Sequence, residues 1–398
     1  MPETAATIDA LTESNAQAII ETRRHFHRNP ELGWHEDKSS AHLHHLLTRD
    51  GIEVALGPCG ASLVAKVMGT SPGPTMAIRA DMDALPVLES NDVPYVSREK
   101  GVMHACGHDC HMAMLYGVAK VLKDAAIEFP GCVKFIFQPC EESMPSGASK
   151  LVEAGVVDDV DAIFAYHVDP EIPAGKIGLR TGVLTACCSE FTLTLTGRSG
   201  HAARPHQAID ANYVGLKVVD ALYDIVGNRA EPFVPAVMTI GLMEGGRKAN
   251  VVSDEFKIGG TIRTLDQASW LDIKNKIERR VASIADSYGA GWDLKFLQPI
   301  PSVRNDAALI ATARGVAETA LGRGNIVELS KVSMGGEDFA WYLTRVRGAL
   351  IRLGVRREAS PVVPLHASNF DVAEKALPLG TSLMAKIAVA FLRRSRES

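Results

Sequence analysis

Nine residues, Met103-His104-Ala105-Cys106-Gly107-His108-Asp109-Cys110-His111, place three imidazoles, two thiols and a carboxylate directly ahead of a helical pattern. Thiolate and imidazole are the donors that borderline-soft divalent metals take, zinc first among them. The cluster on its own is compatible with one arm of a catalytic metal site, a small structural zinc knuckle, a thiol nucleophile working with a histidine, or no metal at all. The knuckle fits poorly. Structural zinc is clamped between two separated arms, whereas Cys106, His108, Cys110 and His111 all fall within one short stretch.

Other acids and imidazoles close predicted strands. Arg79-Ala80-Asp81-Met82-Asp83-Ala84-Leu85-Pro86 sets two carboxylates just after a strand, and Phe137-Gln138-Pro139-Cys140-Glu141-Glu142 ends another in paired glutamates. Of two adjacent glutamates, one can hold a metal while the other serves as general base. Taken singly, the aspartates read as a solvated Asx turn and the glutamates as a surface loop. His167 closes Phe164-Ala165-Tyr166-His167, and His366 follows the strand Ala349–Gly354; each alone reads as a satisfied core histidine. Their joint occurrence changes the balance. Cys106, His108, Glu142, His167 and His366 all sit at strand ends or strand–helix turns. Five ligands exceed what one tetrahedral ion with an open position uses; two ions sharing a bridging ligand and a water would employ them. A thiol nucleophile would leave Glu141, Glu142 and the other histidines without a role.

The elements that must position these residues follow from periodicity. Thr75–Ala80 and Val133–Phe137 read as buried strands, and between them Met112, Leu115, Val118, Ala119 and Leu122 share a helical face. Such alternation predicts an α/β domain with a mixed sheet covered by helices. From Cys188 to Pro299 the pattern changes. Phe191, Leu193 and Leu195 alternate with threonines; a helical stripe follows at Ile209, Tyr213, Leu216, Val219 and Leu222; then come strands at 237–242 and 256–262, a helix carrying Ile273, Ile277, Val281 and Ile284, and a strand at 292–296. That is β-α-β-β-α-β, the ferredoxin-like unit. At 398 residues the chain exceeds the ~250–300 at which single cores stop growing. The prediction is a larger domain of residues 1–187 and 300–398 with residues 188–299 inserted as a compact second domain.

Composition narrows the partners. Net charge is −5 with both signs interspersed, so there is no basic block to bind nucleic acid or an anionic membrane. No apolar run reaches the ~18 residues of a membrane span, and the first residues lack a signal-peptide pattern. Seven cysteines, an odd number, in a chain of this length predict reduced thiols and a cytoplasmic protein.

Six motifs in order, Arg23–Gly33, Arg79–Pro86, His104–Asp109, Phe137–Pro139 with Glu141-Glu142, Gly200-His201-Ala202-Ala203-Arg204-Pro205-His206, and Met334–Phe339, resemble the aminoacylase/carboxypeptidase type of dinuclear zinc metallopeptidases. The likeness is nearest to the amidohydrolase branch with hippurate hydrolase, N-acyl-amino-acid hydrolases and the plant hydrolases of auxin–amino-acid conjugates. The resemblance implies a catalytic α/β domain with an inserted lid that often forms a dimer contact. It implies two divalent ions, zinc first and manganese, cobalt or nickel admissible, on Cys106, His108, Glu142, His167 and His366. It implies Glu141 as catalytic base, His201 reaching toward the scissile carbonyl, Asn250 and Arg263 holding a substrate carboxylate, and Asp83 orienting a ligand. The implied reaction is amide hydrolysis of a small N-acyl amino acid by a homodimer, the alternative being cleavage of small peptides. Where the wider family has a histidine this chain has Asp81. Further departures are Ser143–Gly147, where small residues often glycine are usual, Cys110 for glycine, Cys140 for alanine, and the pair Cys187-Cys188. His42 and His45 read as a polar helix surface, and Glu337 as a residue packing near the site.

Overall fold

The computed structural model describes residues 2–125, 127–229 and 235–394. It divides into two compact units, one of residues 1–182, 304–330 and 338–398, the other of residues 183–303 and 331–337. The second is slightly wider than the predicted 188–299, and it takes in a short segment, Lys331–Glu337, that periodicity gave no reason to place there. Local hydrogen bonds account for it: the Ala186 N–H donates to the Gly335 carbonyl and the Ser333 N–H to the Leu184 carbonyl.

The first unit is built on an eight-stranded mixed sheet. Its order is Glu53–Leu56, Leu63–Met68, Pro130–Gln138, Ser71–Asp81, Ala162–Pro173, Gly348–Arg356, Ile177–Leu179, Ile326–Glu328. The four central strands, Pro130–Gln138 to Gly348–Arg356, run parallel. Every residue of Pro130–Gln138 is buried, as expected of a parallel strand covered on both faces. The covering helices include α1 (Pro2–Arg28), α2 (Asp37–Arg49) and α3 (His108–Asp124). The predicted face of α3 is buried, and so is most of the rest of that helix, because α1 and the helix Ala376–Arg394 pack against it. The Ala376–Arg394 helix is long and apolar enough to cross a membrane, which the sequence reading did not anticipate. Its side chains are mostly buried in the core, so this is a core helix. α1 also escaped prediction, because its buried anchors Ile8, Ile19 and Phe26 are too widely spaced to give a continuous apolar stripe.

In the second unit the order is strand Cys187–Thr196, helix Ala211–Asp224, strands Ala236–Gly245 and Glu255–Thr264, helix Gln267–Tyr288, strand Gly291–Phe296. The sheet is antiparallel with the order Ala236–Gly245, Glu255–Thr264, Cys187–Thr196, Gly291–Phe296. Both helices start on aspartate caps: Asp210 accepts from the Asn212 and Tyr213 N–H groups, and Asp266 from Ser269. The buried stripe of the first helix is Val214, Val218 and Leu222, while Tyr213 and Leu216 are exposed. The predicted stripe was therefore rotated: residues 214, 218 and 222 form an equally regular i, i+4, i+8 row, and that row closes the core with Phe191, Ile258 and Ile277.

Candidate active site

The candidate residues of the first unit gather where the parallel strands end, the edge at which open α/β sheets leave a crevice. Asp81 and Gln138 are paired at the ends of adjacent strands, which places the Asp83 and Glu141-Glu142 turns side by side. His167 lies on the next strand, paired with Arg352. Cys106 and His108 flank Gly107 at the start of α3. Gly107 has φ +83°, and a Cβ there would stand 2.4 Å from Val168 Cγ2. Only glycine fits between these two donors.

Cys106 Sγ is 3.5 Å from His167 Nε2. The donor atoms of Cys106, His108 and His167 lie within 4.8 Å of one another, as do those of Cys106, Glu142 and His366, so the thiol is common to both sets. Backbone carbonyls fix the tautomers. His108 Nδ1 donates to Asp83 O at 2.9 Å, with Asp83 Oδ1 at 3.2 Å, and His167 Nδ1 donates to Val168 O at 2.7 Å. Both rings therefore present Nε2. His108 Nε2 is buried and has no hydrogen-bond partner among the described residues; Asp81 Oδ2 and Glu142 Oε1 stand 3.8 and 4.0 Å away.

The electrostatics favour positive charge at this point. Burial disfavours a charged His108, yet Asp81 and Cys106 outweigh it and hold the imidazole well above its ordinary range. Burial pushes the Cys106 thiol up, and a divalent ion at Sγ would ionise it. Burial keeps His167 neutral, the form that ligates. His366 sits at φ +68°, with Nε2 3.3 Å from Glu142 Oε1. An orphaned imidazole nitrogen, a shared thiol and surplus negative charge fit two divalent ions.

A shell of polar contacts holds these donors. Asp83 Oδ2 accepts the Glu142 N–H at 2.9 Å, so one carboxylate steadies both His108 and Glu142. Burial pushes the Asp83 carboxyl up, but the hydrogen bond and charge of His108 together with the Glu142 and Glu141 N–H groups hold it below the usual carboxylate range. Arg79 bonds Asp81 Oδ2 at 2.6 Å and Asp338 Oδ1 at 2.5 Å, all three buried. His111 donates Nδ1–H to Asp81 Oδ1 at 2.6 Å and accepts the Val168 N–H at Nε2, 3.0 Å. Both its nitrogens are occupied, so His111 is not a ligand although its donors lie near those of Asp81 and His108. The Asp338 N–H donates to Glu141 Oε1 at 3.3 Å. Cys110 is buried in the core beside Arg23, outside every ligand set.

Sequence reasoning missed Glu36. It is fully buried, and its Oε1 accepts the Cys140 N–H at 2.7 Å. Burial pushes its carboxyl up to about 7, the Cys140 N–H pulling the other way. Arg79 was also missed, although it stands inside the Arg79–Pro86 motif, whereas His111 belongs to the cluster that the sequence singled out. A buried polar residue close to a ligand motif was the available signal.

The remaining predicted residues lie in the second unit. His201 and Asn250 meet there: His201 pairs with Val251, and the Ala202 N–H donates to the Asn250 carbonyl. His201 is exposed, and its Nδ1 accepts the Ala203 N–H at 3.0 Å, which leaves a proton on Nε2 of the neutral ring. Arg263 stands on a different sheet, paired with Cys188, with Nη1 bonded to the Met334 carbonyl at 2.8 Å.

The profile of Peptidase family M20/M25/M40 matches residues 77–390. Thermostable carboxypeptidase 2 of Saccharolobus solfataricus is 37% identical over 377 residues, covering 94% of this chain and 95% of that protein. N-acetylcysteine deacetylase of Bacillus subtilis is 34% identical over 375 residues, covering 94% and 97%. Among solved structures, the Bacillus subtilis YXEP protein, described as a dinuclear metal binding peptidase from the M20 family, aligns with a TM-score of 0.83 at 32% identity over 96% of this chain and 99% of that one.

Proposed function

This chain belongs to peptidase family M20/M25/M40, a metal-dependent amide hydrolase, and from that premise we propose that it cleaves N-acyl amino acids to a carboxylic acid and a free amino acid. The observation that carries the proposal is the orphaned, buried Nε2 of His108 among thiol, imidazole and carboxylate donors, with a second glutamate, Glu141, beside them. Cys106, His108, Glu142, His167 and His366 would hold the two ions, and sulfur and nitrogen donors favour zinc. When bound, such ions acidify water to near neutrality and polarise a carbonyl.

The chain's own residues do the rest. Glu141, with one oxygen oriented by the Asp338 N–H, takes the proton of the attacking water. The new C–O bond forms, the C–N bond breaks, and Glu141 returns that proton to the departing amine. His201 donates Nε2–H to the developing oxyanion. Arg263 and Asn250 hold the carboxylate of the amino-acid half, and the planar guanidinium fork suits that task. The exposed Val237, Leu242 and Met243 on edge strand Ala236–Gly245 support a homodimer formed through the inserted unit. The seven cysteines are all unpaired, in keeping with a reducing cytoplasm.

A second reading, a carboxypeptidase or dipeptidase using the same donors and base, is favoured by the likeness to Thermostable carboxypeptidase 2. The test of the base is Glu141→Ala assayed on N-benzoylglycine. Bound metal should be retained while turnover falls by about 10²–10⁴-fold, the share general-base catalysis supplies. Undiminished hydrolysis by the variant removes Glu141 from the mechanism.

A further inference from the structure

Glu36 occupies the N-cap of α2 but does not cap it. A residue there ordinarily turns its side chain onto the first-turn N–H groups. Glu31 does so instead, accepting from Lys38 N at 3.1 Å, Ser39 N at 2.7 Å and Ser39 Oγ at 2.9 Å. The Glu36 side chain turns inward. Its Oε1 takes the Cys140 N–H, and Oε2 meets no hydrogen-bond partner among the described residues.

The group it grips is unusual. Cys140 has φ +50°, a left-handed conformation that non-glycine residues keep only where the surroundings impose it. Three bonds impose it here: Glu36 on the Cys140 N–H, the Gly147 N–H on the Cys140 carbonyl at 2.8 Å, and Asp83 on the Glu142 N–H. The segment carrying Glu36 is pressed against this turn. A Cβ on Gly33 would lie 2.9 Å from Cys140 Sγ and 3.4 Å from Asp83 Oδ2, and Trp34 Nε1 donates to the Pro145 carbonyl at 3.1 Å. Cys140 immediately precedes Glu141 and Glu142, so its backbone angles set where both carboxylates point.

We propose that Glu36 is a positioning residue of the hydrolytic centre: by accepting the Cys140 N–H it holds Cys140 left-handed and so aims Glu141 and Glu142. The inference rests on Glu141 acting as the base. It explains why a carboxyl is buried with one oxygen unpartnered, and why capping of α2 falls to Glu31.

Glu36→Met and Glu36→Gln are close in size to glutamate, and only Gln keeps an acceptor for the Cys140 N–H. With protein held at saturating metal and an N-acyl amino acid, Glu36→Met should lower kcat by about 100-fold, the scale of a misaimed catalytic group, and should weaken metal binding through Glu142, while KM stays near wild type. Glu36→Gln should restore kcat to within about tenfold of wild type, since its amide oxygen can still accept the Cys140 N–H. Adding Cys140→Gly to Glu36→Met should recover about tenfold or more, because glycine adopts positive φ without strain; lost packing would not respond to that change. Equal kcat in the Met and Gln variants, or no recovery with Cys140→Gly, overturns the proposal. If Glu36→Met does not fold, Glu36→Asp decides: its carboxylate is one methylene too short, so kcat should drop and recover with Cys140→Gly, and an unchanged kcat overturns the proposal. Glu141→Ala run alongside separates the two layers. Turnover lost there but kept in Glu36→Met sinks the role of Glu36 alone; turnover kept in Glu141→Ala sinks the base and this inference with it.

Discussion

Asp83 holds two candidate ligands at once, the His108 ring through Nδ1 and the Glu142 backbone through its N–H. Residues of this kind fix the tautomer and raise the basicity of a metal-bound imidazole, and losing one costs 10–100-fold in metal affinity. Asp83→Ala should therefore weaken metal binding by roughly that factor in a competitive chelator titration. His111 acts one step further out. Its Nε2 receives the Val168 N–H, the backbone group next to the candidate ligand His167. His111→Phe leaves that N–H and Asp81 Oδ1 unpaired, at about 1–3 kcal/mol for each unsatisfied buried group, so both stability to denaturant and metal affinity should fall. Unchanged metal affinity with reduced stability would confine His111 to folding. The candidate ligands stood out in the sequence, because few side chains bind soft divalent ions and these stood at strand ends or strand–helix turns. The residues that hold the ligands were not, because their partners are remote: Glu36 is 104 positions from Cys140 and Arg79 is 259 from Asp338. No local pattern carries such a pairing.

Among the elements, the strand Ser71–Asp81 delivers Arg79 and Asp81 into one buried triad with Asp338. Removing one partner of a buried ion pair strands the others, at about 3–5 kcal/mol. Arg79→Met should lower the unfolding free energy by that order, read from urea midpoints at constant m-value. The packing of α1 on α2 carries a pH dependence. His42 stacks on His25 with ring centroids 3.7 Å apart. Burial first, then the nearby His25, His45 and Arg49, lowers the His42 pKa to about 4, against ~6.5 in an unfolded chain. Between those values the unfolded state binds the extra proton, so stability rises with pH there. The loss begins as pH falls below ~6.5 and is complete below about 4. His42→Phe, which keeps a flat ring against His25, should flatten the fall in Tm over that window; an identical acid limb would show that His42 does not titrate as its surroundings imply. Periodicity located the strands and helices of the second unit because amphipathic elements there face one core. It failed for α1, whose buried apolar anchors are too widely spaced to form a stripe, and in α3 it gave one face of a helix that is buried on nearly every side.

For the whole molecule, the clustered donors would make bound metal part of the folded state. An ion that binds only the native chain stabilises it by RT ln(1 + [L]/Kd), about 4 kcal/mol at a thousandfold excess over Kd. Exhaustive chelation should therefore lower Tm, and readdition of zinc should restore it. The central claim concerns which amide is cut. Its most direct test is the hydrolysis of matched N-acyl amino acids and free dipeptides by the zinc-loaded protein, with chelator controls. Chelator-sensitive cleavage of the N-acyl amino acids is expected, with kcat/KM above that of the matched dipeptides. Cleavage of the dipeptides with equal or greater kcat/KM would contradict that claim.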